Sequence, residues 1–183
     1  MFEKILKFWF VDINSDAWFK KDESFDRIIR EKFGKIHEDA CVGKIDGWKN
    51  ESRSCLALII TLDQFSRNLF RNDAKAFAQD SKAVELTNHV LSKDYLRTYT
   101  NDERLFALLP LIHSESIINH ELASQLREKF LKNHPRHEHI KRFWDDHKIP
   151  VENFGRYPHR NDARGWQSTE AELAFLSKPN SSW

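Results

Sequence analysis

With 183 residues, 40% hydrophobic and 13% aromatic, the chain suffices for one packed domain, while five Gly and five Pro are too few for a sandwich of short strands. The formal charge of +1, with acids and bases interspersed, excludes a global field drawing the protein to nucleic acid or an anionic membrane. Two cysteines without a CxxC pair, Cys41 and Cys55, exclude a disulfide scaffold and read as buried thiols of a reducing compartment.

Phe2 to Phe10 predicts a short helix with Ile5, Leu6, Trp9 and Phe10 on its apolar face. Glu3, Lys4 and Lys7 interrupt it and no small-residue cleavage site follows, so it does not read as a signal peptide. No run approaches the ~18 apolar residues of a spanning helix. The expectation is a soluble, cytoplasmic protein. Trp18 and Phe19 are predicted to plug a gap between helices. From Ser24, the residues Phe25, Ile29, Phe33, Ile36 and Ala40 recur at helical spacing, and Gly43 stands where a C-terminal cap is favoured.

The stretch Ser54 to Arg71 organises the rest. Cys55 to Ile60 is an unbroken apolar run, long enough to predict a helix buried on nearly every side. Asp63, Gln64, Arg67 and Asn68 then arrive without leaving helical spacing, Asp63 sharing a face with Arg67 and Gln64 with Asn68. Buried polar groups need partners. These are expected from near His113 and from the loop around His159.

Asn72 and Asp73 break the chain before a helix predicted over about 74–91. Thr100 and Glu103 have capping-box spacing, and Pro110 predicts a kink or break in the helix they open. Two amphipathic helices follow, over 121–130 and 135–146. Residues 149–168 carry two Pro and two Gly without helical period and read as a non-helical loop packed on the helical body of a single domain, 1–183. Thr169 and Glu172 form a second capping box for a last helix through Leu176. No segment reads as a strand. The class is all-α, with antiparallel helix pairs forming an αα-superhelix or an irregular bundle.

Three polar clusters could carry chemistry. Asp63 can orient or accept a proton while Arg67 clamps an anion; the same residues can instead form an internal ion pair at the end of a buried helix. His113 and Glu115 suit acid–base work, although residues two apart on a helix face different sides unless the helix is irregular there. In Phe154 to Asn161, Arg156 and Arg160 could grip an acidic ligand or pin the loop onto Asp63 and Glu115, with His159 and Asn161 beside them. The run His134 to His139 matches no zinc spacing and reads as a solvated basic face, so no metal site is assigned.

These segments together resemble the bacterial family catalogued as "domain of unknown function 924". The resemblance is carried by Ile5 to Phe10, Trp18-Phe19, Phe25-Asp26, LALIITLDQFSRN and Arg71. It continues through Ala76-Phe77-Ala78-x-Asp80, Pro110-Leu111-x-His113-Ser114-Glu115, His147, FGRYPHRN and Ser168-Thr169-Glu170. Two departures are visible: Ser66 stands where the family has Pro, and Arg164-Gly165-Trp166-Gln167 replaces Leu-Gly-Arg. The resemblance implies a tetratricopeptide-like superhelix and a shared setting for the three clusters. It brings no activity or cofactor.

Two functional expectations result. In the first, a pocket takes a small anionic molecule: His113, Glu115 and His159 are the candidate catalytic residues, and Asp63, Arg67, His147, Arg156, Arg160 and Asn161 the candidate ligand-binding ones. In the second, the chain is a helical scaffold for a protein partner and the clusters are structural. Neither involves nucleic acid or a membrane, and whether the chain is an enzyme stays open between them.

Overall fold

The computed structural model, which describes residues 1–182, is built around one buried helix, α3 (Ser52–Leu69). Its residues Cys55 to Ile60, Leu62 and Phe65 are wholly buried, and it packs against α1 (Phe2–Lys7), α2 (Glu23–Cys41), α4 (Asp80–Ser92) and α5 (Asn101–His113). Each large apolar side chain removed from water this way contributes roughly 1.5–3 kcal/mol. Two hydroxyls inside the helix are satisfied locally, Thr61 donating to the Ala57 carbonyl and Ser66 to that of Leu62.

The remaining helices are α6 (Ile117–Phe130), α7 (His137–Phe154) and α8 (Glu170–Leu176). Among the described residues there is no β-strand and no helix long and apolar enough to cross a membrane. The all-α class follows from the sequence patterns as expected. Short connections keep neighbours in sequence side by side, α5 against α6 and α6 against α7.

Aromatic side chains seal the α1 end. Helix α1 passes into a wide turn, Phe8–Asp12, whose Trp9 is fully buried with its ring edge-on to Phe65 and Phe106. Trp18 plugs the gap: its indole donates to the Trp9 carbonyl and its ring lies 4.8 Å from that of Phe106. At the far end of α2, Gly43 adopts a positive φ of 81°, the left-handed cap its position suggested.

Both predicted capping boxes are present, at Thr100 with Glu103 and at Thr169 with Glu172. Three elements differ from the sequence reading. The helix expected over 74–91 is divided into a tight turn, Ala74–Phe77, and α4, which leaves Phe77 and Asp80 beside the loop after α7. Helix α5 continues unbroken through Pro110. Likewise, α7 continues through Pro150 to Phe154, so the non-helical segment begins at Gly155 rather than at residue 149. A proline removes one backbone donor. In α7 that loss is outweighed by an apolar stripe of Ile140, Trp144 and Val151 buried along the helix.

Candidate functional site

Asp63 is 0% exposed on α3, and its carboxylate is surrounded by donors. Gln64 donates to Oδ2 at 2.5 Å, His113 approaches Oδ1 at 2.8 Å, and the Arg67 guanidinium lies 3.1 Å from Oδ1. Burial alone would raise the pKa of Asp63. His113 and Arg67 more than reverse that, holding it well below the usual carboxylate range. An ionised carboxylate only accepts, so the His113 Nδ1–H is the donor.

His113 ends α5, and burial and then the Arg67 charge lower the pKa of its imidazole against the pull of Asp63, which favours the neutral ring. With Nδ1 engaged, Nε2 carries a lone pair. No hydrogen bond to Nε2 forms among the described residues, and His113 lines an open cleft of about 380 Å³. That size falls within the range of small-molecule sites, about 300–1,000 Å³.

The cleft lies between α4, the α5–α6 junction and the late loop. Phe77, Asp80, Ser114, Asn119, Arg160 and Arg164 are among its lining residues. Ser114 leaves the helix in an extended conformation, which turns Glu115 toward the loop. Irregularity after His113, not a kink at Pro110, brings His113 and Glu115 to one cleft. The Ser114 hydroxyl oxygen accepts from the Ser116 amide and the Asn119 side chain, leaving its own proton to donate.

A network of charges holds the cleft together. Asp80 is clasped by two guanidiniums, Arg67 at 3.1 Å and Arg160 at 2.8 Å. Arg160, only 3% exposed, also donates to the His113 carbonyl at 2.9 Å, and its guanidinium lies against the rings of Phe77 and Tyr157. Thus one late-loop side chain fixes both the end of α5 and the start of α4. At the rim, Arg164 pairs with Glu115 at 3.0 Å, and the other Glu115 oxygen accepts from the Tyr157 amide.

Behind this face sit further histidines around Tyr157. The Tyr157 hydroxyl donates to the Ile112 carbonyl, and the His120, His147 and His159 rings lie about it. His147 donates from Nδ1 to the Phe143 carbonyl, with its ring centre 6.1 Å from that of His113. Burial keeps these imidazoles neutral, lowering His120 to about 4 and His159 to about 3, with His147 well below its ordinary value. Among the described residues no group of three His, Cys, Asp or Glu side chains is arranged to hold a metal ion.

Of the residues singled out from the sequence, His113, Glu115 and Arg160 line the cleft, Asp63 and Arg67 stand directly behind it, His147 is buried beneath, and His159 is half-buried beside Tyr157. Two turn elsewhere. Arg156 forms a two-pronged pair with Glu172 on α8, and Asn161 donates to Ser168. They anchor α8 and the loop rather than the cleft. Asn68 also departs from its expected partners, donating to Asp26 on α2. Reasoning from sequence missed Asp80 and Arg164. Asp80 falls within the helix predicted over about 74–91 as one acid among others, and Arg164 lies in a segment with no period.

The family described as "Bacterial protein of unknown function (DUF924)" matches residues 5–180. The chain is also similar to a solved structure of a protein of unknown function from Agrobacterium tumefaciens, at 32% identity and a TM-score of 0.86, with 96% of each chain covered. No curated protein matches it.

Proposed function

The chain belongs to the bacterial DUF924 family, and we propose that its cleft binds a small organic acid on which His113, oriented by Asp63, acts as general base. The observation that carries this reading is the disposition of His113. A buried, ionised carboxylate fixes its tautomer through Nδ1 and leaves Nε2 as the lone-pair nitrogen of a residue that lines a cleft of ligand size. The reaction class is proton transfer. Nε2 takes a proton from the ligand or from a water beside it, and Asp63 stabilises the imidazolium that forms.

Charge balance defines the ligand further. Asp63, Asp80 and Glu115 offset Arg67, Arg160 and Arg164, so the site suits an anion of modest charge. Arg164 is the group to receive it. Its side chain is 23% exposed, it pairs with the similarly exposed Glu115, and Phe77 and Trp166 flank it. A ligand carboxylate can replace Glu115 there in a planar fork.

The second reading, a helical scaffold for a protein partner, draws on the Arg67–Asp80–Arg160 network, which is buried and internally paired as a structural staple would be. It leaves Nε2 of His113 without a task.

The test is ligand-detected NMR with a panel of small carboxylic acids and monophosphates on wild type, Arg164→Gln and His113→Gln. The expected result is a binder that Arg164→Gln weakens and His113→Gln retains without chemical turnover. A panel in which nothing binds, or whose binding ignores Arg164→Gln, would contradict the proposal.

A further inference from the structure

A second cleft, of about 410 Å³, lies away from His113, between the turn Tyr95–Thr98, the start of α5 and the end of α6. Arg97, Arg104, Lys129 and Lys132 line it, with Phe130 as an aromatic wall. Its electrostatics are the reverse of the first cleft's. Where Asp80 and Glu115 neutralise Arg160 and Arg164, here Arg104, Lys129 and Lys132 form no ion pair among the described residues.

The carboxylates nearest the cleft are already paired, Asp94 with the cleft's own Arg97. Asp102 faces His134 and Arg136, Glu103 pairs with Arg53, and Glu128 accepts from Arg127. The Arg104 guanidinium is aimed by two hydrogen bonds, to the Leu96 carbonyl and to Asn101. The Lys129 ammonium lies 5.1 Å from the centre of the Phe130 ring. One oriented guanidinium and two flexible ammoniums crowd a single concavity with no ion-pair partner of their own among the described residues, in a chain whose net charge is only +1. Like charges held together repel, and a multiply charged anion relieves that repulsion.

We propose that this second cleft binds a ligand carrying two or more linked phosphate groups. A forked guanidinium matches phosphate oxygens in pairs, and lysines add mobile point charges along a phosphate chain. The proposal stands independently of the reading of the His113 cleft.

Titration calorimetry on the full chain, in about 0.1 M salt so that distant charges are screened, tests it with tripolyphosphate, a nucleoside triphosphate and orthophosphate as probes. Tripolyphosphate is expected to bind more tightly than orthophosphate. The nucleoside triphosphate arm shows whether an organic group beside Phe130 adds affinity; either order between it and tripolyphosphate supports a linked-phosphate site. Lys129→Gln with Lys132→Gln, both exposed, should weaken tripolyphosphate at least about tenfold, equivalent to about 1.4 kcal/mol, while Arg164→Gln leaves it unchanged. Equal binding of orthophosphate, no binding of tripolyphosphate, or a loss that follows Arg164→Gln instead of the lysine pair would overturn the proposal. So would binding confined to an RNA or an anionic vesicle.

Discussion

Arg160 and Arg164 of the late loop, four residues apart, should differ sharply in what they contribute to stability. Arg160→Ala removes charge-assisted hydrogen bonds to Asp80 and to the His113 carbonyl, both from a side chain only 3% exposed. It also empties the space between Phe77 and Tyr157. Breaking a buried pair costs about 3–5 kcal/mol. The lower end applies here, because Asp80 keeps Arg67 as a partner. A loss of about 3 kcal/mol lowers Tm by about 6–12 °C in a domain of this size. Arg164→Ala breaks one rim pair and should cost no more than about 1 kcal/mol. Asp80→Ala takes the carboxylate from Arg160 and leaves Arg67 with Asp63 alone, and should exceed Arg160→Ala. Urea midpoints and calorimetric melting of the three variants supply the comparison. If Arg160→Ala and Arg164→Ala shift the midpoint equally, the Arg67–Asp80–Arg160 network does not hold the loop.

Acid should destabilise the chain before its carboxylates titrate. His120 at about 4 and His159 at about 3, with His113 and His147 also lowered, stay neutral in the fold at pH values where unfolded imidazoles near 6.5 are charged. The unfolded state therefore binds more protons below 6.5, so stability is complete above that pH and falls as it drops, by up to about 1.4 kcal/mol per unit for each histidine. Equal urea midpoints at about pH 7.5 and about pH 5 would contradict this. Phe106→Ala, which removes the ring shared by Trp9, Phe10, Trp18 and Phe19, should cost about 3–5 kcal/mol in chemical denaturation. Thr169→Ala should cost about 1 kcal/mol and accelerate amide exchange in α8 first.

What the sequence discloses here is mostly local. Capping boxes at Thr100 and Thr169 are legible because both partners lie within one turn, and α3 is legible because its apolar run leaves no solvent face. The pairing of Asp63 with His113 can be anticipated across 50 residues because each is a polar intrusion at the end of an apolar stretch. Arg160 and Asp80 are 80 residues apart, and each has an ordinary local reading, so their contact leaves no local trace. The loop after Gly155 lacks a period, so nothing in its sequence indicates that Arg156 faces α8 while Arg160 and Arg164 face the cleft. Arg164 belongs to the stretch that departs from the family's Leu-Gly-Arg, yet it lines the cleft. Proline, the strongest breaker in the sequence, misleads at Pro110 and Pro150, where packing of the whole helix overrides one missing donor.

In the proposed function His113 is a neutral base, fixed by Asp63 and open to ligand at Nε2. Histidine-selective ¹⁵N–¹H correlation spectra at pH 7, recorded with and without a mixture of small carboxylic acids, test it most directly. The expected result is a neutral Nδ1–H tautomer for His113 whose Nε2 resonance moves when a ligand enters. An imidazolium, an Nε2–H tautomer, or an Nε2 resonance indifferent to every acid offered would contradict it.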